Sequence, residues 1–519
     1  MTPGGRANGS GVFLRAAVLM ALSVAACLPG WGIPELDGTE GRRVRIALEM
    51  LRAGDWLVPM LGGEPTWAKP PLHYWLLCLC IEAFGPSTWS VRLPAVLAAA
   101  LMSALADAIV RPRFGGLAGW VAGVGVACAP LVVFHWPTAE IDPVFAGLVA
   151  ASIWTLACGA AEARPRLLAA SGALAGLALL QKGPPYFLFA AGAYAVWWRH
   201  ARLRGLAWHV VPMLAVASAY FVPLWLLRVD PATILAVANE ESVGRLALFE
   251  GWRQVAETPE YWLRAAGMTL PFAFWLRAPR PRFGDGRDAA RDVIVATCWH
   301  AAVLAALALT FFPGRPTRYL LPNVPIVAFA MAPAIAAYAG LAAALPARLR
   351  MALKAFAAAG VVVAVAAPFV PKAGPLAPAL GVVIALGAGL ATSRRRVVAF
   401  ALLLPIVAAW TIGLDRARSW PQSSRTRAVA GAGLRGALDR LGVDRADLST
   451  SGHFDSPLLL AAGLLPPGDE SGKKPWRTRW VLCEAPKQEP MCPSDYAVRH
   501  RLDLPFKSFL LCEHVEVGK

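Results

Sequence analysis

Apolar runs close to 20 residues long alternate along the chain with short polar segments rich in arginine. That length matches a bilayer hydrocarbon core of about 30 Å. The pattern predicts about 13 spanning helices, at residues 11–30, 92–110, 116–134, 138–160, 166–181, 184–198, 206–227, 259–277, 293–312, 320–342, 351–370, 376–392 and 396–413. The first run, with Arg6 before it and Arg15 near its start, reads in isolation as a signal peptide. The similar runs that follow favour a retained signal-anchor.

The segment from Trp31 to Trp75 breaks the pattern. It carries Glu35, Asp37, Glu40, Arg42, Arg43, Arg45, Glu49, Arg52, Asp55, Glu64 and Lys69. One Lys, Arg or Asp at the bilayer centre costs roughly 2.5–3.5 kcal/mol on insertion scales, so this stretch belongs at or outside the membrane surface. Its apolar residues Val44, Ile46, Ala47, Met50 and Leu51 recur at near-helical spacing, as in an amphipathic helix lying in the interface. Leu72–Phe84 is apolar but short and follows Pro70 and Pro71, so it reads as a second interfacial or re-entrant helix.

Charge placement supports this count. With the N-terminus inside, the cytoplasmic loops are Arg111–Arg113, Arg164–Arg166, Arg199–Arg204, Arg277–Arg291, Arg348–Arg350 and Arg394–Arg396, and all six are basic, as the positive-inside rule requires. The opposite loops (31–91, 135–137, 182–183, 228–258, 313–319, 371–375 and the tail after 414) hold most of the acidic residues. Counting Leu72–Phe84 as a span would reverse every later loop. The +17 net charge is therefore distributed among cytoplasmic loops rather than gathered into a nucleic-acid-binding surface. Composition agrees: 57% of the 519 residues are hydrophobic and 16% charged, against about 25% charged in a soluble protein.

Beyond residue 415 the character changes. Ser423–Leu441 reads as a surface helix, and Thr478–Cys483 and Lys507–Cys512 as short strands. The expected architecture is an all-α polytopic membrane domain over 1–414, including the first outer loop 31–91, followed by a small α/β domain over 415–519 on the outer side. Of the nine cysteines, Cys27, Cys78, Cys80, Cys128, Cys158 and Cys298 lie in or beside apolar runs and read as buried small hydrophobes. Cys483 and Cys492 are close enough in sequence to form a disulfide in an oxidising compartment, with unpaired thiols as the alternative; Cys512 is the third tail cysteine.

The outer-face turns supply the candidate chemistry. The first loop carries Asp37, Glu40, Arg42, Arg43 and Lys69, and the turn HWPTAEIDPVF carries His135, Glu140 and Asp142. Lys182 stands at a Gly-Pro break; Glu240, Glu241 and Arg245 follow, then Arg315, Arg318 and Tyr319. Cations from separate segments at one membrane level suit an anionic headgroup, above all a phosphate, and a nearby carboxylate suits a general base for a hydroxyl. Each has a plainer reading: Asp142 as a cap ahead of Pro143, Glu40 as a solvated acid paired with Arg43 or Arg45, Lys69 snorkelling, Lys182 ending a span, the arginines touching anionic lipid, His135 serving its turn. Trp67, Trp75 and Trp136 are candidates to line a sugar or lipid groove, although most of the 20 tryptophans read as interfacial belt. The carboxylates also admit a divalent metal, but their spacing carries no signature.

Several motifs in order carry a resemblance: DGTEGRR followed by RIALEM, DW and GEP, then KPPLHYWL, EID, QKGP, EESVGR and PTRYLLP. Over residues 10–410 the chain resembles the polyprenyl-phosphate-dependent membrane glycosyltransferases of the GT-C type, in particular the lipid A aminoarabinose transferases and bacterial relatives of the protein O-mannosyltransferases. The resemblance implies a GT-C fold in a bacterial inner membrane. It also implies inverting transfer of a sugar from a carrier such as undecaprenyl phosphate to a lipid A, glycolipid or protein acceptor on the periplasmic face. A lipid phosphate is already a competent leaving anion, so cations must neutralise it while the acceptor hydroxyl needs a base.

By the same resemblance, Glu40, Lys69, Asp142, Lys182, Arg245 and Tyr319 match family positions, with Arg42, Arg43, Arg315 and Arg318 as further phosphate ligands. The family's first loop normally reads Asp-Glu-x-Arg-Tyr, where this chain has Thr39, Glu40, Gly41, Arg42 and Arg43. Thr39 cannot act as a base, so the proton acceptor falls to Glu40, Asp37 or Asp142. Ahead of the Lys-Pro-Pro unit, Thr66 and Ala68 replace an aromatic and an acidic residue, and Trp67 keeps one aromatic. The alternative reading is a catalytically degenerate lipid- or glycan-binding membrane protein. A transporter fits the span count but shows neither an inverted repeat nor intramembrane ionisable pairs.

Overall fold

The computed structural model describes residues 9–31, 39–61, 64–227, 287–310, 317–340, 347–366, 377–391, 433–443, 448–451, 480–484, 496–503 and 508–514, with a few single residues between. The chain divides into two compact units, one of Met1–Trp31, Ala68–Leu72 and Arg92–Ala417, the other of Gly32–Trp67, His73–Val91 and Arg418–Lys519.

The first unit is helical. It contains α1 (Gly9–Trp31), α4 (Thr88–Phe114, its first turn in the other unit), α5 (Gly116–Cys128), α6 (Pro130–His135), α7 (Ile141–Ala161), α8 (Pro165–Lys182), α9 (Pro185–Ala201), α10 (Leu206–Leu226), α11 (Arg287–Leu309), α12 (Asn323–Gly340), α13 (Ala347–Ala366) and α14 (Ala377–Leu390). Among the described residues six helices are long and apolar enough to cross a membrane, and four apolar helices are shorter. The chain is a multi-pass membrane protein. The expected run 116–134 bends at Ala129, which is extended (φ −61°, ψ 134°) because a residue before proline disfavours the helical region. Apart from single residues, expected spans 259–277 and 396–413 lie outside the described residues.

Lipid is as apolar as leucine, so burial does not drive these helices together; close packing and hydrogen bonds do. Gly172 of α8 lies against the His209 carbonyl of α10, and Gly192 of α9 against the His300 carbonyl of α11. Trp154 stacks on Phe329 across α7 and α12, centroids 5.1 Å apart. A buried polar chain joins four helices: Ser152 and Tyr186 at 2.9 Å, Tyr186 and Tyr194 at 3.4 Å, Tyr194 and His209 Nε2 at 2.8 Å, with Ser171 donating to the Ser152 carbonyl. Leu101, Trp225 and Val365 stay exposed, as lipid-facing side chains do.

The second unit contains α2 (Glu40–Ala53), the hairpin strands β1 (Met60–Leu61) and β2 (Glu64–Pro65), α3 (Leu72–Phe84, apart from its first residue), and the C-terminal sheet. The apolar face of α2 is buried where the pattern puts it, at Val44, Ile46, Ala47 and Met50. Arg45 and Glu49 are buried too, as an ion pair at 2.7 Å, because α2 packs against protein. Cys78 Sγ of α3 donates to the Ala47 carbonyl at 3.3 Å, and Arg43 to the Tyr74 hydroxyl at 3.2 Å. Helix α3 has 13 residues, about 20 Å and short of a crossing.

After a helix at 433–440, the strands β3 (Leu448–Ser451), β4 (Trp480–Glu484), β5 (Tyr496–Asp503) and β6 (Ser508–His514) form one sheet in the order β3-β4-β6-β5. β3 pairs parallel to β4 and the other pairs are antiparallel, with Val481 opposite Cys512 and a bulge between Val498 and His500. Cys512, the third tail cysteine, is disulfide-bonded, and the pairing expected of Cys483 and Cys492 falls on side chains outside the described residues.

Candidate functional site

Three separate turns of the helical unit meet at one carboxylate. Asp142 is the second residue of α7, with Pro143 in the third position, where the backbone N–H has no intrahelical partner to lose. Lys182 is the last residue of α8, and its chain turns at Gly183, which has φ +84°. An acid in a helix's first turn and a base in another's last turn each suit their own helix dipole. In this pair they also meet: Lys182 Nζ bonds Asp142 Oδ1. From the 3-10 turn Thr317–Leu320 ahead of α12, Arg318 Nε stands 3.7 Å from Asp142 Oδ2. Both carboxylate oxygens therefore face cations.

Aromatic rings complete the seat of Lys182. Its ammonium lies 4.7 Å from the Tyr319 ring centroid and 5.4 Å from that of Phe145, within cation–π range. Phe145 follows Asp142 by three residues and so shares its helix face. Gln181 ties the two helix ends together, its Nε2 donating to the Ile141 carbonyl at 3.1 Å. Pro70 packs near Gly183, 3.9 Å from where a side chain there would begin, which sets the half-buried Lys69 beside the Lys182 turn. Among the described residues, no three His, Cys, Asp or Glu side chains gather as a metal's ligands would.

The structure thus brings Asp142, Lys182, Arg318 and Tyr319 together, with Lys69 in the bend that precedes Pro70. Glu40, Arg42 and Arg43 belong to the second unit. Glu40 opens α2 and is 1% exposed, which replaces the solvated acid of the plainer reading with a buried one. Thr39 stands at the N-cap and makes no side-chain cap hydrogen bond. Asp37, Arg245 and Arg315 lie outside the described residues. His135 serves its turn: its carbonyl accepts from Thr138 Oγ1 at 2.7 Å. Trp136 does not line a groove. It is wholly buried in the core of the helical unit, since the chain folds inward between α6 and α7. Trp75 Nε1 donates to the Trp56 carbonyl at 2.5 Å.

Sequence reasoning missed Phe145, Gln181 and Pro70 as parts of this site. Each left a signal: Gln181 and Pro70 stand within the QKGP and KPPL motifs, and Phe145 lies at helical spacing from Asp142.

Residues 68–226 match the family model described as dolichyl-phosphate-mannose-protein mannosyltransferase. An undecaprenyl phosphate-alpha-4-amino-4-deoxy-L-arabinose arabinosyl transferase of Edwardsiella ictaluri is 31% identical over 220 residues, 41% of this chain and 39% of that protein. The protein of the same description from Pseudomonas savastanoi pv. phaseolicola is 34% identical over 96 residues, 18% of this chain and 17% of that one. The matches therefore span well under half the length of these relatives. Among solved structures, ArnT from Cupriavidus metallidurans aligns in its apo state with a TM-score of 0.69 at 18% identity, covering 98% of both chains. The same protein bound to undecaprenyl phosphate aligns at 0.66, covering 98% of this chain and 99% of that one. The chain thus has the GT-C fold and resembles the polyprenyl-phosphate-dependent glycosyltransferases, the aminoarabinose transferases among them.

Proposed function

We propose that this chain is an inverting membrane glycosyltransferase. It takes a sugar from a polyprenyl-phosphate carrier and passes it to a lipid A, glycolipid or protein acceptor at the periplasmic face of a bacterial inner membrane. The observation that carries this reading is the meeting of Lys182, Arg318 and Tyr319 at Asp142, beside the Lys69–Pro70 bend. The cations receive the carrier phosphate as the bond from its oxygen to the anomeric carbon breaks. The acceptor oxygen forms the new bond from the opposite face and gives its proton to a carboxylate, drawn from Glu40, Asp37 and Asp142. Arg42, Arg43, Arg245 and Arg315 are the further phosphate ligands, and residues 415–519 form a periplasmic domain. The similarity to proteins described as undecaprenyl phosphate-dependent arabinosyl transferases supports this carrier class.

Full-length protein in nanodiscs, given radiolabelled polyprenyl-phosphate sugars and membrane lipid acceptors, should release free polyprenyl phosphate and label the acceptor. Retained carrier binding with no transfer to any acceptor would favour the second reading, a degenerate lipid-binding descendant, which Thr39 at the family's aspartate position motivates. Cross-linking between cysteines placed at residues 40 and 142 tests whether Glu40 and Asp142 serve one site.

A further inference from the structure

Asp142 is well placed to hold cations and poorly placed to take a proton. Lys182 engages one of its oxygens and Arg318 faces the other, whereas a general base needs a lone pair turned to the acceptor hydroxyl. The two cations are held unequally. Lys182 keeps two aromatic contacts that do not depend on the carboxylate, so its ammonium stays seated if Asp142 lets go. Arg318 stands 3.7 Å from Asp142, beyond hydrogen-bond length. Its Nε is buried and, among the described residues, makes no hydrogen bond. A buried cationic donor lacking an acceptor is costly, and a phosphate oxygen would satisfy it. The Arg318 side chain is nonetheless 36% exposed, so an incoming anion can reach it.

We propose that Asp142 is a resident counter-ion that the carrier phosphate displaces. This rests on the phosphate-site reading above. In the empty protein the carboxylate neutralises Lys182 and Arg318. When the lipid's anionic head arrives, both cations turn to it and Asp142 is released from them; when the carrier leaves, the pairing re-forms. Asp142 is then a positioning residue and not the base.

The test is the affinity of full-length protein in nanodiscs for a polyprenyl monophosphate, with the uncharged polyprenol as control. Removing a like charge that competes for the same cations should tighten monophosphate binding by about tenfold in Asp142→Asn. The charge-conserving Asp142→Glu should stay within about twofold of the unmodified protein, and polyprenol should bind all forms alike. Unchanged or weaker monophosphate binding in Asp142→Asn overturns the proposal, and a loss of transfer with unchanged affinity would return Asp142 to the role of base. If Asp142→Asn fails to fold, Asp142→Ser is judged by the same criterion. The unmodified protein gives an independent readout: carbodiimide labelling at Asp142 should rise when the monophosphate binds, and labelling that stays constant also overturns the proposal. Lys182→Ala and Arg318→Ala test the underlying site. If both bind the monophosphate normally, the phosphate is held elsewhere, whatever Asp142→Asn does.

Discussion

Gly192→Ala would add one methyl group where two helices have no room for it. A Cβ there would lie 2.1 Å from the His300 carbonyl oxygen, 2.3 Å from its carbon and 2.6 Å from the Ala301 nitrogen. All three are backbone atoms of α11 and cannot rotate aside as a side chain can. Restoring van der Waals contact requires α9 and α11 to separate locally by about 1 Å, which forfeits dispersion along the whole seam. Overpacking of this kind costs about 1–3 kcal/mol, while alanine's better helix propensity returns at most about 1 kcal/mol. The net expectation is a loss of about 1–2 kcal/mol. Gly389→Ala is the matched control, because a Cβ at that position in α14 meets nothing within 4 Å; it should be neutral or slightly stabilising. Membrane proteins commonly unfold irreversibly, so the assay is the monodisperse fraction remaining after heating at one fixed rate. The expected order is Gly389→Ala at or above the unmodified protein, and Gly192→Ala clearly below it. Equal stability of the two variants would refute the close approach of α9 and α11.

Three further outcomes follow from the same structure. Lys182→Met strips a mostly buried ion pair of one partner, but Arg318 still faces Asp142, so the stability loss should fall below the roughly 3–5 kcal/mol of a fully orphaned charge. Binding of a polyprenyl monophosphate to this variant should weaken about 10- to 100-fold, the worth of one charged hydrogen bond, as measured by titration in nanodiscs. Gly183→Ala forces a side chain into φ +84°, ψ −147° at a cost of about 1–3 kcal/mol, and the Lys182 turn should distort, read as lower stability together with weaker carrier binding. Reducing the Cys512 disulfide should cost the C-terminal sheet about 2–4 kcal/mol. Limited proteolysis under reducing conditions should then cut the tail while leaving the helical unit intact.

The apolar runs made the helices legible because a bilayer leaves a spanning segment few options: backbone groups must be satisfied within the helix. Leu72–Phe84 was legible as a short helix from its apolar run behind Pro70 and Pro71, and the strands at 480–484 and 508–514 fell close to the expected 478–483 and 507–512. Helix ends were harder. Helix α4 begins at Thr88, and the run from 116 to 134 is bent before Pro130, since local sterics and neighbouring turns act there rather than hydropathy.

Sequence alone determined where the apolar runs and the charged loops fall and which motifs bear the family likeness, because those depend on composition and local spacing. It named Asp142, Lys182, Arg318 and Tyr319 individually, but their grouping depended on the meeting of α7, α8 and the turn before α12. Only the tertiary structure decided that Lys182 rests between two aromatic rings and Asp142 faces two cations. It also decided that Arg45, Glu49 and Trp136 are buried in protein. Those outcomes turn on distances between segments far apart in the chain, and pairing energies that depend on such distances leave no trace in the order of residues.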